Sequence, residues 1–122
     1  MSYIVFATES FDAVANFYGV QLGFPLVSQW DRPHGRGKRF DLGAGLRLEI
    51  LDNLREKKPL LLHNPGDRTH VVIEVDDIGA AHRRLPFDAP PPQAVSWGAR
   101  LFQVRDPDGV PVTFLQWDRA QG

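Results

Sequence analysis

The sequence predicts an α+β fold built from one strand–helix–three-strand unit used twice. Three observations carry that prediction. First, Thr69-His70-Val71-Val72-Ile73-Glu74-Val75-Asp76-Asp77-Ile78 repeats the plan of Ser2-Tyr3-Ile4-Val5-Phe6-Ala7-Thr8-Glu9-Ser10-Phe11. His70 falls on Tyr3, Asp77 on Ser10 and Ile78 on Phe11. Second, a further echo closes each half: Gly45-Leu46-Arg47-Leu48-Glu49-Ile50-Leu51 and Gly109-Val110-Pro111-Val112-Thr113-Phe114-Leu115, with Glu49 on Thr113. The offsets, 67 and 64 residues, differ by an ordinary loop-length change. Third, 122 residues suffice for a single domain, 1–122, with modules 1–52 and 69–118 joined by a linker over 53–68.

The elements follow in order. Residues 3–8 alternate as a half-buried strand, with Ile4, Phe6 and Thr8 on one face and Tyr3, Val5 and Ala7 on the other. Ser10 is a good N-cap and Asp12 suits the positive end of a helix. Phe11, Val14, Tyr18 and Leu22 then form one apolar helical stripe, stopped by Gly23. Phe24–Trp30 reads as a strand and Asp31–Lys38, basic and broken by Gly and Pro, as a solvated loop. Arg39–Leu42 and Leu46–Leu51 are strands around a Gly43-Ala44-Gly45 turn. In the linker, Leu60-Leu61-Leu62 is anomalous: a short strand, or a patch over the mouth of a pocket. The second unit repeats the order. Strand 69–75 leads to Asp77 as N-cap, and Ile78, Ala81 and Leu85 form a short stripe ended by Pro86. Pro90-Pro91-Pro92 forces an extended connection. Ala94–Trp97 is a weak strand. Leu101–Arg105 and Val110–Trp117 make a hairpin around Asp106-Pro107-Asp108-Gly109. Residues 118–122 read as a frayed tail.

Composition excludes several function classes. Apolar residues make up 43% and charged residues 24%, an ordinary globular balance. A net charge of −1 recruits neither nucleic acid nor an anionic membrane. No apolar run spans a bilayer, and no signal-peptide core opens the chain. The absence of cysteine excludes disulfides and thiolate chemistry and fits the expected cytoplasmic location. No phosphate-binding Gly-rich loop and no serine nucleophile elbow occurs.

Phe17-Tyr18 followed by Leu22-Gly23-Phe24, Leu48-Glu49-Ile50, Thr69-His70-Val71, Ser96-Trp97-Gly98 and Asp106-Pro107-Asp108-Gly109, in this order on a duplicated pattern, resemble the vicinal oxygen chelate superfamily. That superfamily includes glyoxalase I, bleomycin and fosfomycin resistance proteins and extradiol dioxygenases. The resemblance covers nearly the whole chain. It implies two βαβββ modules forming a curled mixed sheet around a cup, helices outside, and a homodimer.

Strand alternation then places Tyr3, Val5, Ala7, Arg47, Glu49 and Leu51 toward the cup in the first module. His70, Val72, Glu74, Thr113, Leu115 and Trp117 do the same in the second. The resemblance implies four equivalent metal-ligand points, occupied here by Tyr3, Glu49, His70 and Thr113. Of these only Glu49 and His70 are good hard-metal ligands, with Glu74 a possible third. His70 reads equally as a hydrogen-bonded core histidine with Glu49 as acceptor. Trp30, Trp97 and Trp117 read as core or interface residues, or as ligand platforms. His34, His63 and His82 are assigned no chemistry, with His82 on the solvent side of its helix. The expected function is binding and sequestration of a small aromatic or antibiotic-like ligand by Tyr3, Glu49, His70, Thr113 and Trp117, without obligatory metal and with no assigned catalytic residue. The alternative is a divalent-metal-dependent lyase (lactoylglutathione lyase-like), isomerase or dioxygenase.

Overall fold

The computed structural model describes residues 2–62 and 69–118. The readings of His63, of the linker over 63–68 and of the tail over 119–122 fall outside the described residues. The chain divides into two compact units, residues 1–64 and 65–122.

In the first unit, β1 (Ile4–Thr8) is followed by α1 (Phe11–Asn16), then β2 (Leu26–Arg32), β3 (Gly35–Gly43) and β4 (Leu46–Asp52). The sheet order is β1-β4-β3-β2. β1 runs parallel to β4, and the other pairings are antiparallel. Phe11, Val14 and Tyr18 are buried as the helical stripe requires. Burying each contributes roughly 1.5–3 kcal/mol. The helix does not end at Asn16. It widens into a π-turn over Phe17–Gln21, closed by Leu22 N–H donating to Phe17 O at 2.8 Å. This turn sets Phe17 edge-on to Tyr18, with ring centroids 5.2 Å apart, and Tyr18 meets Phe6 from β1. Gly19 is required there: a Cβ would come within 2.7 Å of the Phe40 ring.

The second unit has β5 (Val71–Glu74), α2 (Ile78–Arg83), β6 (Gln93–Val95), β7 (Ala99–Arg105) and β8 (Pro111–Trp117), in sheet order β5-β8-β7-β6. The strand–helix–three-strand unit therefore occurs twice, as two four-stranded mixed sheets. Registers repeat as well. Phe6 pairs with Ile50 in the first unit, and Ile73 with Phe114 in the second. Asp106 Oδ1 accepts from the N–H groups of Asp108 and Val110, each at 2.9 Å, which explains the turn before β8. Among the described residues no helix is long and apolar enough to cross a membrane.

Several details depart from the sequence reading. Asp31–Lys38 is not a loop: β2 continues to Arg32, β3 starts at Gly35, and only Pro33-His34 turns. Cross-strand pairing overrides the Gly and Pro signals, since Trp30 pairs with Gly37 and Asp31 with Arg36. Ile4 is exposed, unlike half-buried Phe6 and buried Thr8 on the same face. Ser10 precedes the helix but makes no side-chain cap. His82 is not on the solvent side. Its ring meets Phe102 edge-on at 5.1 Å, and Nε2 lies 3.0 Å from Ala89 O. Leu60-Leu61-Leu62 forms no strand and is exposed. Asn53 holds its start through paired bonds, Nδ2 to Leu60 O at 3.0 Å and Leu60 N to Oδ1 at 2.9 Å.

Candidate functional site

The sheet face turned away from α1 carries the candidate site of the first unit. Register places Glu49 of β4 beside Val5 of β1 and Arg39 of β3. Glu49 is 6% exposed, and Arg39 Nε donates to its Oε1 at 2.7 Å. This hydrogen bond raises the already high pKa of the guanidinium, so Arg39 is a permanent cation. The guanidinium carbon lies 4.2 Å from the Tyr3 ring centroid and 5.2 Å from that of Trp30. Trp30 reaches this place because Gly37 has no side chain: a Cβ would meet the indole at 2.3 Å. Two aromatic rings, one cation and one buried carboxylate thus form a single cluster. On the same face, Ser28 Oγ and Arg47 Nε are buried and find no hydrogen-bond partner among the described residues.

The second unit has a different face. Thr113 occupies the Glu49 position and Gln103 the Arg39 position, each at the offset of 64 residues. Gln103 Nε2 donates to Thr113 Oγ1 at 3.0 Å, so a neutral pair replaces the ion pair. Trp117 Nε1 donates to Glu74 Oε2 at 2.9 Å. Trp97 meets Trp117 with centroids 5.5 Å apart and planes at 65°.

Of the residues predicted from the sequence, Tyr3 and Glu49 are brought together, through Arg39. Trp117 is joined to Glu74. Thr113 is bonded to Gln103, and His70 lies exposed just before β5. Sequence reading missed Arg39 and Trp30 as partners. It assigned the stretch before Arg39 to a loop, and only the β2–β3 pairing puts both side chains on the Glu49 face. The available signal was the repeat itself, which aligns Arg39 with Gln103.

Glu49, His70 and Glu74 are the residues that the sequence offers to a metal. Among the described residues no three His, Cys, Asp or Glu side chains are grouped to hold one. A divalent cation at Glu49 would also face the Arg39 guanidinium, a like charge beside it.

The family model for the Glyoxalase/Bleomycin resistance protein/Dioxygenase superfamily matches residues 1–114. The chain belongs to that superfamily. Among solved structures, it is similar to a glyoxalase/bleomycin resistance protein/dioxygenase from Nocardioides, at 24% identity and a TM-score of 0.73, covering 98% of this chain and 84% of that one. It is also similar to SMU.1112c, at 20% identity and a TM-score of 0.72, covering 94% and 96% of the two chains. A third is TnmS3, an antibiotic binding protein from Streptomyces sp. CB03234, at 24% identity and a TM-score of 0.65, covering 96% and 97%. No curated protein matches the chain significantly. At these identities the likeness establishes the superfamily fold, and the open sheets of both units accord with it.

Proposed function

We propose that this superfamily member binds a small planar aromatic molecule of the antibiotic-like class, without turnover and without an obligatory metal. The observation that carries the reading is the Tyr3–Arg39–Trp30 cluster on Glu49. Aromatic faces offer a planar ligand large contact area, and a fixed guanidinium adds a polarised, planar stacking surface. Glu49 holds that guanidinium in place, so its carboxylate serves as an orienting partner and not as a metal ligand. A protein described as antibiotic binding on the same fold is a precedent for such use. Tyr3, Ile4 and Val5 on one sheet edge and Leu26 and Val27 on the other are exposed apolar groups, which favours a two-fold homodimer.

The test is calorimetric titration of an aromatic antibiotic panel into protein treated with chelator. Binding should survive the chelator, while Arg39→Ala and Glu49→Gln weaken it by roughly tenfold or more, about the loss of one charge-assisted contact. About one metal per chain by elemental analysis, with binding or turnover lost on chelation, would establish the metal-dependent enzyme instead.

A further inference from the structure

We propose that the second unit carries a subsite for a small organic cation, an alkylated ammonium, formed by Trp97, Trp117 and Glu74. It is built from residues of the second unit alone and does not rest on the function proposed above.

Its placement comes from the backbone. Trp117 ends β8 and pairs with Ala99, which opens β7. Trp97 sits two residues before Ala99, in the turn from β6. Asp118 N donates to Gly98 O at 3.0 Å and ties that turn to the end of β8. The two indoles are therefore held near each other by the strand ladder. At 5.5 Å and 65° they do not stack but meet as a corner. Glu74, on the neighbouring β5, brings its carboxylate to the edge of this corner through the 2.9 Å bond from Trp117 Nε1. That bond engages Oε2. Among the described residues no lysine, arginine or histidine forms an ion pair with Glu74.

Chemistry then selects the ligand. Indole faces attract cations through the ring quadrupole, and an aromatic corner beside a carboxylate is the arrangement that recognises alkylated ammonium groups. A neutral apolar ligand would gain nothing from Glu74, and an anion would be repelled by it. The corner belongs to the second unit alone: at the repeat offsets, the first unit has Pro33, Asn53 and Ala7 in place of Trp97, Trp117 and Glu74. Trp97 is 54% exposed, so its indole is presented to solvent and not consumed as core.

The experiment follows the tryptophan indole N–H resonances by NMR while the full chain is titrated with choline. A parallel titration uses 3,3-dimethylbutan-1-ol, its neutral isostere. Choline should shift the Trp97 and Trp117 signals saturably and leave Trp30 unmoved, with the isostere weaker by about five- to tenfold. Glu74→Gln should weaken choline by a similar factor, and Trp97→Ala should abolish the Trp117 shift. Trp97 is exposed, so an unchanged amide spectrum elsewhere verifies folding. Equal response to the isostere, or unaltered choline binding in Glu74→Gln, would overturn the proposal and leave an apolar patch. A lower sedimentation mass for Trp97→Ala would also overturn it, by making the corner an interface between copies. Failure of the antibiotic titration would leave this result untouched, because it reads different residues.

Discussion

At the same position of the same strand, the first unit carries Glu49 ion-paired to Arg39 and the second carries Thr113 hydrogen-bonded to Gln103. On the opposite face of those sheets the units agree. Ile50 and Phe114, equivalent in the repeat, are both buried, at 0% and 6% exposure, and both pair with an apolar residue of the first strand of their unit. One face is repeated as core and the other has diverged. The reason is physical. The helix-facing side must exclude water in each unit for the sheet to hold its helix, whereas the other side needs only satisfied polar groups. An ion pair and a neutral pair satisfy that condition equally, so either residue set is compatible with the fold.

The largest expected effects test the shared face. Phe114→Ala should cost about 3–5 kcal/mol and Ile50→Ala about 2–5 kcal/mol, by cavity formation, read from urea unfolding midpoints. If one proved nearly neutral, the two units would not share a core plan. Next is Gly37→Ala, which sharpens the difference between the other faces. The added methyl collides with the Trp30 indole, so the variant should lose about 1–3 kcal/mol and release Trp30 from Arg39. The equivalent residue in the second unit is Leu101, whose partner on the neighbouring strand is Gln93 where Gly37 has Trp30. A red-shifted tryptophan emission together with lowered stability is the expected signature, and wild-type emission would contradict the close packing. The smallest effect compares the helix starts. Asp77 Oδ1 accepts from Ala80 N at 3.0 Å, while Ser10 caps nothing with its side chain. Asp77→Ala should therefore cost about 1 kcal/mol and Ser10→Ala only a few tenths. Equal losses in thermal melts would show that the two starts are not different in solution.

The duplication, the strand–helix–three-strand order and the helix-facing core were legible in the residues. Periodicity exposes a core because every buried turn or alternate strand position must be apolar, and the stripe Phe11, Val14, Tyr18 and the alternation of Leu48 and Ile50 obey that rule. Tyr3 and Glu49 were also legible, since strand parity assigns them to the other face. What tertiary structure alone decided was partnership. Arg39 and Trp30 join Tyr3 and Glu49 because β3 pairs with both β2 and β4, and Gly37 leaves room for an indole. Glu74 meets Trp117 across 43 residues of chain, through the parallel pairing of β5 with β8. Local sequence encodes which face a side chain takes. Which side chain it meets there depends on strand order and register, and those are set by the summed packing of the whole sheet.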